Sequence, residues 1–169
     1  MATQLEFINS FDSGTGNSLV SCDNVFSDKY KSYFVTLRAG YSAQGYSQLR
    51  LLNSSGSPIN SATYDCAIHM IVTNAAFQEY RATNAGFLPR INYTYNNGYT
   101  GTTSFYVHNP YDSSSFTFFQ WQNTFESVGT PWGMKGIGVE KTAQTCRGFD
   151  IYVSAGVIEN NIISVYGVK

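Results

Sequence analysis

The stretch of sequence that decides the fold is Tyr33-Phe34-Val35-Thr36-Leu37-Arg38. Successive side chains of a β-strand point to opposite faces, so Tyr33, Val35 and Leu37 would share one face of an extended segment. The side chains between them, which include a threonine and an arginine, would occupy the other face. This alternation is typical of a strand with one face in a core, and it predicts β-structure here.

The same alternation recurs along the rest of the chain. It is found at Leu49 and Leu51, at Phe105 and Val107, at Phe116 and Phe118, at Phe149, Ile151 and Val153, and at Ile163 and Val165. Runs of Gly, Asn, Ser and Pro lie between these segments, and such residues favour turns. No segment shows the repeat of about 3.6 residues that marks an amphipathic helix.

We therefore predict an all-β fold, namely a single β-sandwich domain over residues 1–169 that is jelly-roll-like and has mostly antiparallel strands. A parallel sheet is not expected, because no helical segment is long enough for a crossover connection. The residues predicted to lie in the core include Phe105, Val107, Phe149, Ile151, Ile163 and Val165.

Three local features have alternative interpretations. Residues 64–73 could form a strand buried on both faces or a short helix, and their β-branched content without helix caps favours the strand. Residues 133–138 contain three glycines but no helix follows them, so we predict a bulged strand entry in place of a phosphate loop. Cys22, Cys66 and Cys146 are an odd number without metal-site spacing, which favours buried free thiols.

The charge balance argues against two classes of function. The net charge is -1 and only 12% of residues are charged, about half the roughly 25% that is usual. Nucleic-acid-binding proteins normally carry a basic surplus on one face, so no nucleic-acid partner is expected. There is no Lys/Arg-rich amphipathic stretch, no apolar run near the roughly 20 residues of a membrane span and no signal-peptide pattern, so no membrane partner is expected either.

The residue types that carry chemistry form no recognisable catalytic pattern. His69 and His108 could bind a metal together with Asp65 or Asp112, but no known spacing of metal-binding histidines is present. We interpret His69 as a hydrogen-bonded core residue and His108 as a surface residue. The acidic residues are scattered and no nucleophile or phosphate motif occurs. We predict no catalytic residue, no cofactor and no metal.

The aromatic residues of the segment 116–132 are too many for one face of a strand. Either both faces are covered, or one aromatic row is exposed and contacts a partner. We predict a subunit interface that includes Phe119, Trp121, Phe125 and Trp132. The alternatives are a place in the core, or a surface glycan that stacks on one of the two tryptophans.

Several motifs in a fixed order resemble small β-sandwich virion proteins of tailed bacteriophages, particularly those of marine and cyanobacterial hosts. The resemblance covers the chain from about Leu5 to Lys169. The motifs are Arg-Leu-Leu-Asn-Ser-Ser-Gly at 50–56, Tyr-Asp-Cys-Ala at 64–67, Asn-Pro-Tyr-Asp-Ser-Ser-Ser at 109–115, Lys-Gly-Ile-Gly-Val at 135–139 and Ile-Ser-Val-Tyr-Gly-Val-Lys at 163–169.

The resemblance implies a non-catalytic virion component that forms a homotrimer and has no catalytic residues to carry over. Its location would be the virion, assembled in the host cytoplasm. This chain differs from the pattern in residues 92–101, which are rich in Tyr, Asn and Gly. We predict a contact surface there that includes Tyr93, Tyr95 and Tyr99, because Tyr, Gly and Asn are common in adaptable binding surfaces.

Three functional hypotheses follow from these observations. The first is a capsid decoration or cement protein that binds the major capsid protein, since the chain has no fibrous repeat. The second is a tail-fibre or receptor-binding tip module that contacts other tail proteins. A more distant alternative is a carbohydrate-binding or carbohydrate-processing β-sandwich, which would depend on one essential acid if it were an enzyme.

Overall fold

Strands account for all the regular secondary structure in the part of the chain that this computed structural model describes, which is residues 4–12, 14–94, 101–127 and 129–169. The larger sheet contains eight strands, in the spatial order β1 (Leu5–Phe11), β12 (Ile158–Val168), β3 (Ser32–Tyr41), β8 (Gly101–His108), β9 (Thr117–Ser127), β10 (Thr130–Glu140), β5 (Tyr64–Val72) and β6 (Gln78–Ala85). The smaller sheet contains four strands, in the order β2 (Leu19–Cys22), β11 (Cys146–Val153), β4 (Gly45–Asn53) and β7 (Tyr93–Thr94).

Every pairing between neighbouring strands is antiparallel. The predicted all-β, antiparallel β-sandwich is therefore confirmed, while its jelly-roll form stays a prediction. In the described residues, no helix is long and apolar enough to cross a membrane.

The hydrophobic core lies between the two sheets. Tyr33, Val35 and Leu37, the apolar face of the segment that predicts the fold, are all buried there. The six predicted core residues are confirmed as well, since none is more than 1% exposed: Phe105, Val107, Phe149, Ile151, Ile163 and Val165. Cys22, Cys66 and Cys146 are free and buried, as predicted.

The smaller sheet has half as many strands as the larger one, so it leaves part of the larger sheet's inner face uncovered. Connecting segments fill this space. Leu88 pairs with Leu49 of β4 through two backbone hydrogen bonds of 2.9 Å, and the side chains of Leu88, Ile91 and Ile59 are buried in the core. These residues extend the smaller sheet without belonging to a long strand.

Two buried tyrosine hydroxyl groups connect the sheets across the core. The hydroxyl of Tyr64, on β5, accepts a hydrogen bond of 3.0 Å from the backbone N–H of Leu51, on β4. The hydroxyl of Tyr41, on β3, is hydrogen-bonded to the hydroxyl of Ser47, also on β4. Burial raises the pKa of both tyrosines above the ordinary value, so both remain neutral.

The glycines of β10 make room for the indole ring of Trp121. Gly136 is the direct cross-strand neighbour of Trp121, and a Cβ atom at position 136 would overlap the indole. A Cβ atom at Gly138 would lie 2.6 Å from the Leu88 side chain. β10 pairs with both neighbours without a register shift, so the predicted bulged entry is wrong. The glycines accommodate a ring and do not bend the strand.

β5 confirms the predicted strand over residues 64–72, and Thr73 begins a turn. Burial on both faces is wrong, however, because Ala67, His69 and Ile71 are exposed while Tyr64, Cys66, Ile68, Met70 and Val72 are buried. Among the described residues, the hydrophobic core packs only on the inner face of β5, so the outward side chains of this strand are exposed to solvent.

Replacing Gly136 by alanine tests the contact with Trp121. We expect Gly136→Ala to lower the free energy of unfolding by about 1–3 kcal/mol, the usual cost of overpacking a core. Gly133→Ala in the same strand is the matched control, since its Cβ would make only an ordinary contact of 3.5 Å with the Asn123 carbonyl oxygen. Urea denaturation of both variants measures the difference, and equal stabilities would contradict the packing described.

The Tyr64 hydroxyl can be removed without changing the volume of the ring. We expect Tyr64→Phe to cost about 1–3 kcal/mol of unfolding free energy, because it leaves the buried Leu51 N–H without an acceptor. Tyr111→Phe removes a hydroxyl from an exposed ring outside the core and should be nearly neutral. Thermal and urea unfolding distinguish the two variants. A neutral Tyr64→Phe would show that the hydrogen bond between the sheets contributes little to the free energy of unfolding.

Candidate functional site

Three of the predicted interface residues lie in the core and not at the surface. Phe119, Trp121 and Phe125 are 1%, 4% and 8% exposed. They belong to the face of β9 that is turned towards the smaller sheet, together with the buried Thr117 and Asn123. The predicted interface role of these three is therefore wrong. The alternation correctly separates the two faces of β9, but it does not say which face is turned inwards.

The other predicted residues have different positions. Trp132 and Tyr93 are half-buried and pack against the edge of the core. Their rings flank Phe125, with centroid separations of 5.9 Å for Trp132 and 5.0 Å for Tyr93. Tyr95 and Tyr99 lie outside the described residues.

These three rings line a cavity of about 350 Å³ between the sheets, which we call the end cavity. Both sheets contribute to it, because β4 and β7 supply Tyr46 and Tyr93 while β5 and β10 supply Met70 and Trp132. The remaining residues that line it are Gln44, Gly45, Gln78, Arg90, Phe125, Met134 and Ser154. The cavity thus combines aromatic walls with amide and hydroxyl groups and one cation.

Arg90 supplies that cation. Its guanidinium group lies over the rings of Tyr80 and Tyr46, at 4.3 and 5.7 Å from their centroids. Its Nη1 is 3.7 Å from the Met70 sulfur, a weak acceptor. Among the described residues no carboxylate pairs with Arg90. Sequence reasoning missed Arg90, and nothing in its local pattern distinguishes it from other surface arginines.

A second feature lies on the outer face of the larger sheet. Phe7, Tyr166, Phe34 and Tyr106 are cross-strand neighbours on β1, β12, β3 and β8, and we call them the aromatic row. Ring centroids along the row are 5.6, 6.2 and 5.1 Å apart. Phe7 is 59% and Tyr106 is 40% exposed. The alternation places these rings outwards, which was the signal that could have revealed the row.

Polar groups surround the aromatic row on the same face. A shallow groove of about 600 Å³ lies across β3, β8, β9 and β10, and its lining includes Thr36, Arg38, Thr102, Gln122 and Lys135. Neither Arg38 nor Lys135 takes part in an ion pair among the described residues. The groove thus places hydrogen-bonding groups beside the aromatic row, together with the exposed apolar side chains Ile71 and Ile162.

The two histidines do not come together. His69 on β5 is exposed against the Phe77 ring, and His108 on β8 shares a hydrogen bond of 2.9 Å with the Ser32 hydroxyl. The predicted core position of His69 is wrong, and β9 and β10 lie between the two strands. Burial lowers the pKa of His108. Within the described ranges, no three His, Cys, Asp or Glu residues form a group that could hold a metal.

One carboxyl group in the smaller sheet is buried. Asp150 on β11 is only 5% exposed, and its Oδ1 has no hydrogen-bond partner in the described structure. Its cross-strand neighbours are Arg50 and Ser21. Desolvation raises the pKa of Asp150 above the ordinary value for aspartate. The nearby Asp23 carboxylate adds to this rise and the Ser21 hydroxyl opposes it. We assign Asp150 a cost in stability and no reaction.

The raised pKa of Asp150 predicts a pH-dependent stability. The folded state binds the Asp150 proton more tightly than the unfolded state does. The stabilisation from this proton is complete below the pKa of Asp150 in the unfolded state, and it is lost as the pH rises through the pKa in the folded state. We therefore expect Asp150→Asn to raise the free energy of unfolding at pH 7 and to flatten its decline above about pH 4. Urea unfolding across this pH range measures both, and a variant that is less stable at pH 7 would contradict the assignment.

Comparison with known proteins gives little further guidance. No protein-family model matches the chain, and no curated protein matches its sequence significantly. Among solved structures, the crystal structure of an endo-beta-1,4-glucuronan lyase from the fungus Trichoderma reesei aligns with 97% of this chain and 77% of its own, with 9% sequence identity and a TM-score of 0.35. At that TM-score the likeness establishes neither a common fold nor a common activity.

Proposed function

We propose that this chain is a non-enzymatic structural subunit of a bacteriophage particle, a decoration or cement protein that forms a homotrimer and binds the major capsid protein. The observation that carries the proposal is the aromatic row on the outer face of the larger sheet. The resemblance of the sequence motifs to phage virion proteins supplies the kind of assembly. The proposed location is the virion, with assembly in the host cytoplasm.

The aromatic row has the properties of a contact surface. Contiguous exposed apolar groups with polar surroundings are typical of protein interfaces, and aromatic residues are enriched at their centres. Phe34 and Tyr106 lie in neighbouring central strands, and the groups beside them include neutral hydroxyls and amides such as Thr36 and Gln122. Arg38 and Lys135 line the same groove without ion pairs among the described residues, so a partner that covers the groove has to supply carboxylates for them.

Charges on the edge strand β1, beside the aromatic row, favour a contact between subunits through the face of the sheet over one through its edge. Glu6 on the edge strand β1 forms ion pairs with Lys29 and Lys169, and these hold the pKa of Glu6 down at about 2. Charged side chains along an edge strand oppose pairing with another sheet. We therefore place the contact between subunits on the aromatic row and not on the β1 edge.

A lysine in the aromatic row tests this assembly. We expect Tyr106→Lys to weaken the trimer by about 100-fold or more, because the contact would bury three unpaired charges at several kcal/mol each. Ser18→Lys, an exposed change beside β2 of the smaller sheet, is the charge-matched control. Sedimentation equilibrium measures both variants. A monomeric unaltered chain at high concentration, or a Tyr106→Lys trimer of unchanged affinity, would contradict the proposal.

Immuno-gold labelling of phage particles from the source of the chain tests the location. Label distributed over the capsid is the expected result. Label confined to the tail would replace the decoration role by the tail-fibre or receptor-binding role. Intact particles without label, in preparations where an antibody to the major capsid protein labels the shell, would rule out a virion component altogether.

A further inference from the structure

We propose that the end cavity is a binding site for a carboxylated sugar unit, in which Arg90 pairs with the carboxylate and Trp132 stacks on the sugar ring. This inference goes beyond the structural role proposed above and does not depend on it. It concerns a different part of the molecule, since the end cavity lies between the sheets and the aromatic row lies on the outer face of one of them.

The size and lining of the end cavity fit a small polar ligand. Its volume of about 350 Å³ falls within the roughly 300–1,000 Å³ that is usual for small-molecule sites. Trp132 stacks on Phe125 with an interplanar angle of 23°, and Tyr93 and Tyr46 complete the aromatic lining. Such a lining provides a flat apolar surface of the kind that sugar C–H groups contact.

Hydrogen-bonding groups complete the lining in the way that a sugar requires. Gln44 and Gln78 bring exposed amide groups, and Gln44 Nε2 donates to the Tyr93 hydroxyl at 3.0 Å. The Ser154 hydroxyl also lines the cavity and accepts a hydrogen bond of 3.0 Å from the Tyr46 N–H. Amides and hydroxyls can each donate and accept, which matches the hydroxyl groups of a sugar.

The charge of the cavity indicates an acidic ligand. No aspartate or glutamate is among the described residues that line it, so Arg90 gives the site a positive charge. The guanidinium group is packed between aromatic rings and has only a sulfur atom as a described polar partner. A guanidinium group held in this way has its planar set of N–H donors available for a carboxylate, which it binds in a bidentate manner.

The backbone at Arg90 supports a role for its side chain. Among the described residues, five non-glycine residues have positive φ, and four of them are asparagines: Asn24, Asn84, Asn109 and Asn160. Arg90, at φ 56°, is the exception. Asparagine tolerates this conformation better than arginine does, so the arginine carries a conformational cost that an asparagine would reduce. The pairing of a strained backbone with an unpaired cation in a cavity is what a binding role would produce.

Two sugars that differ only in the acid group provide the test. Methyl galacturonide and methyl galactoside would be titrated into the full chain labelled with ¹⁵N, and binding followed by amide chemical shifts. We expect the galacturonide to shift residues that line the end cavity, with an affinity about tenfold or more above that of the galactoside. No shift at the cavity with the galacturonide, or equal affinities for the two sugars, would overturn the proposal.

Two variants and one control assign the roles. Arg90→Asn suits the positive φ, and we expect it to remove the preference for the galacturonide while the thermal unfolding midpoint stays the same or rises. Trp132→Leu should weaken both sugars about tenfold without changing that preference. Arg38→Asn, on the outer face, should bind as the unaltered chain does.

The remaining outcomes are equally decisive. Undiminished galacturonide binding by Arg90→Asn, with its amide spectrum otherwise intact, would overturn the assignment of the carboxylate to Arg90. Loss of binding in Arg38→Asn would place the sugar in the outer groove and overturn the site. The result does not bear on the virion proposal, which depends on gold labelling and on the oligomeric state.

Discussion

The contact between Tyr64 and Leu51 across the core is the constraint on which the rest of the structure depends. A hydroxyl group at the end of a buried ring must find a partner, and here the partner is a backbone N–H of the opposite sheet. The Tyr41–Ser47 bond repeats the arrangement further along β4. The two bonds join β4 of the smaller sheet to β3 and β5 of the larger sheet, and large side chains fill the core between them. Phe105, Phe119 and Phe149 fill it.

The packing between the two sheets accounts for both candidate surfaces, which are the aromatic row and the end cavity. Trp121 lies on the inward, odd-numbered face of β9 and has room there because its cross-strand neighbour Gly136 lacks a side chain. The even-numbered residues of β9 and their neighbours on β8 face outwards, and Tyr106 of the aromatic row is one of these neighbours. At the end of the sandwich, Trp132 and Tyr93 each pack against Phe125, and the end cavity lies beside these three rings.

The two surfaces are compatible in one subunit. The aromatic row lies on the face of the larger sheet, whereas the end cavity lies between the sheets beside the beginning of β4. The proposed trimer, packed through the row, would leave the end cavity available in each subunit. Attachment to a particle and recognition of an acidic sugar would then be separate properties of one fold, which allows a particle component to contact a carbohydrate-coated surface.

By itself, the sequence determined the all-β class, the alternating core and the free buried cysteines. Burial needs only a period of two residues and apolar side chains, and the segments around Val35, Val107 and Ile151 carry both. It did not determine which face of β9 is buried, because aromatic residues occupy both faces there. Only the tertiary structure decided this, through the match of Trp121 with Gly136 on the next strand. The end cavity was beyond sequence reasoning for the same reason, since Arg90, Tyr93 and Trp132 lie on separate segments that meet only when the two sheets pack.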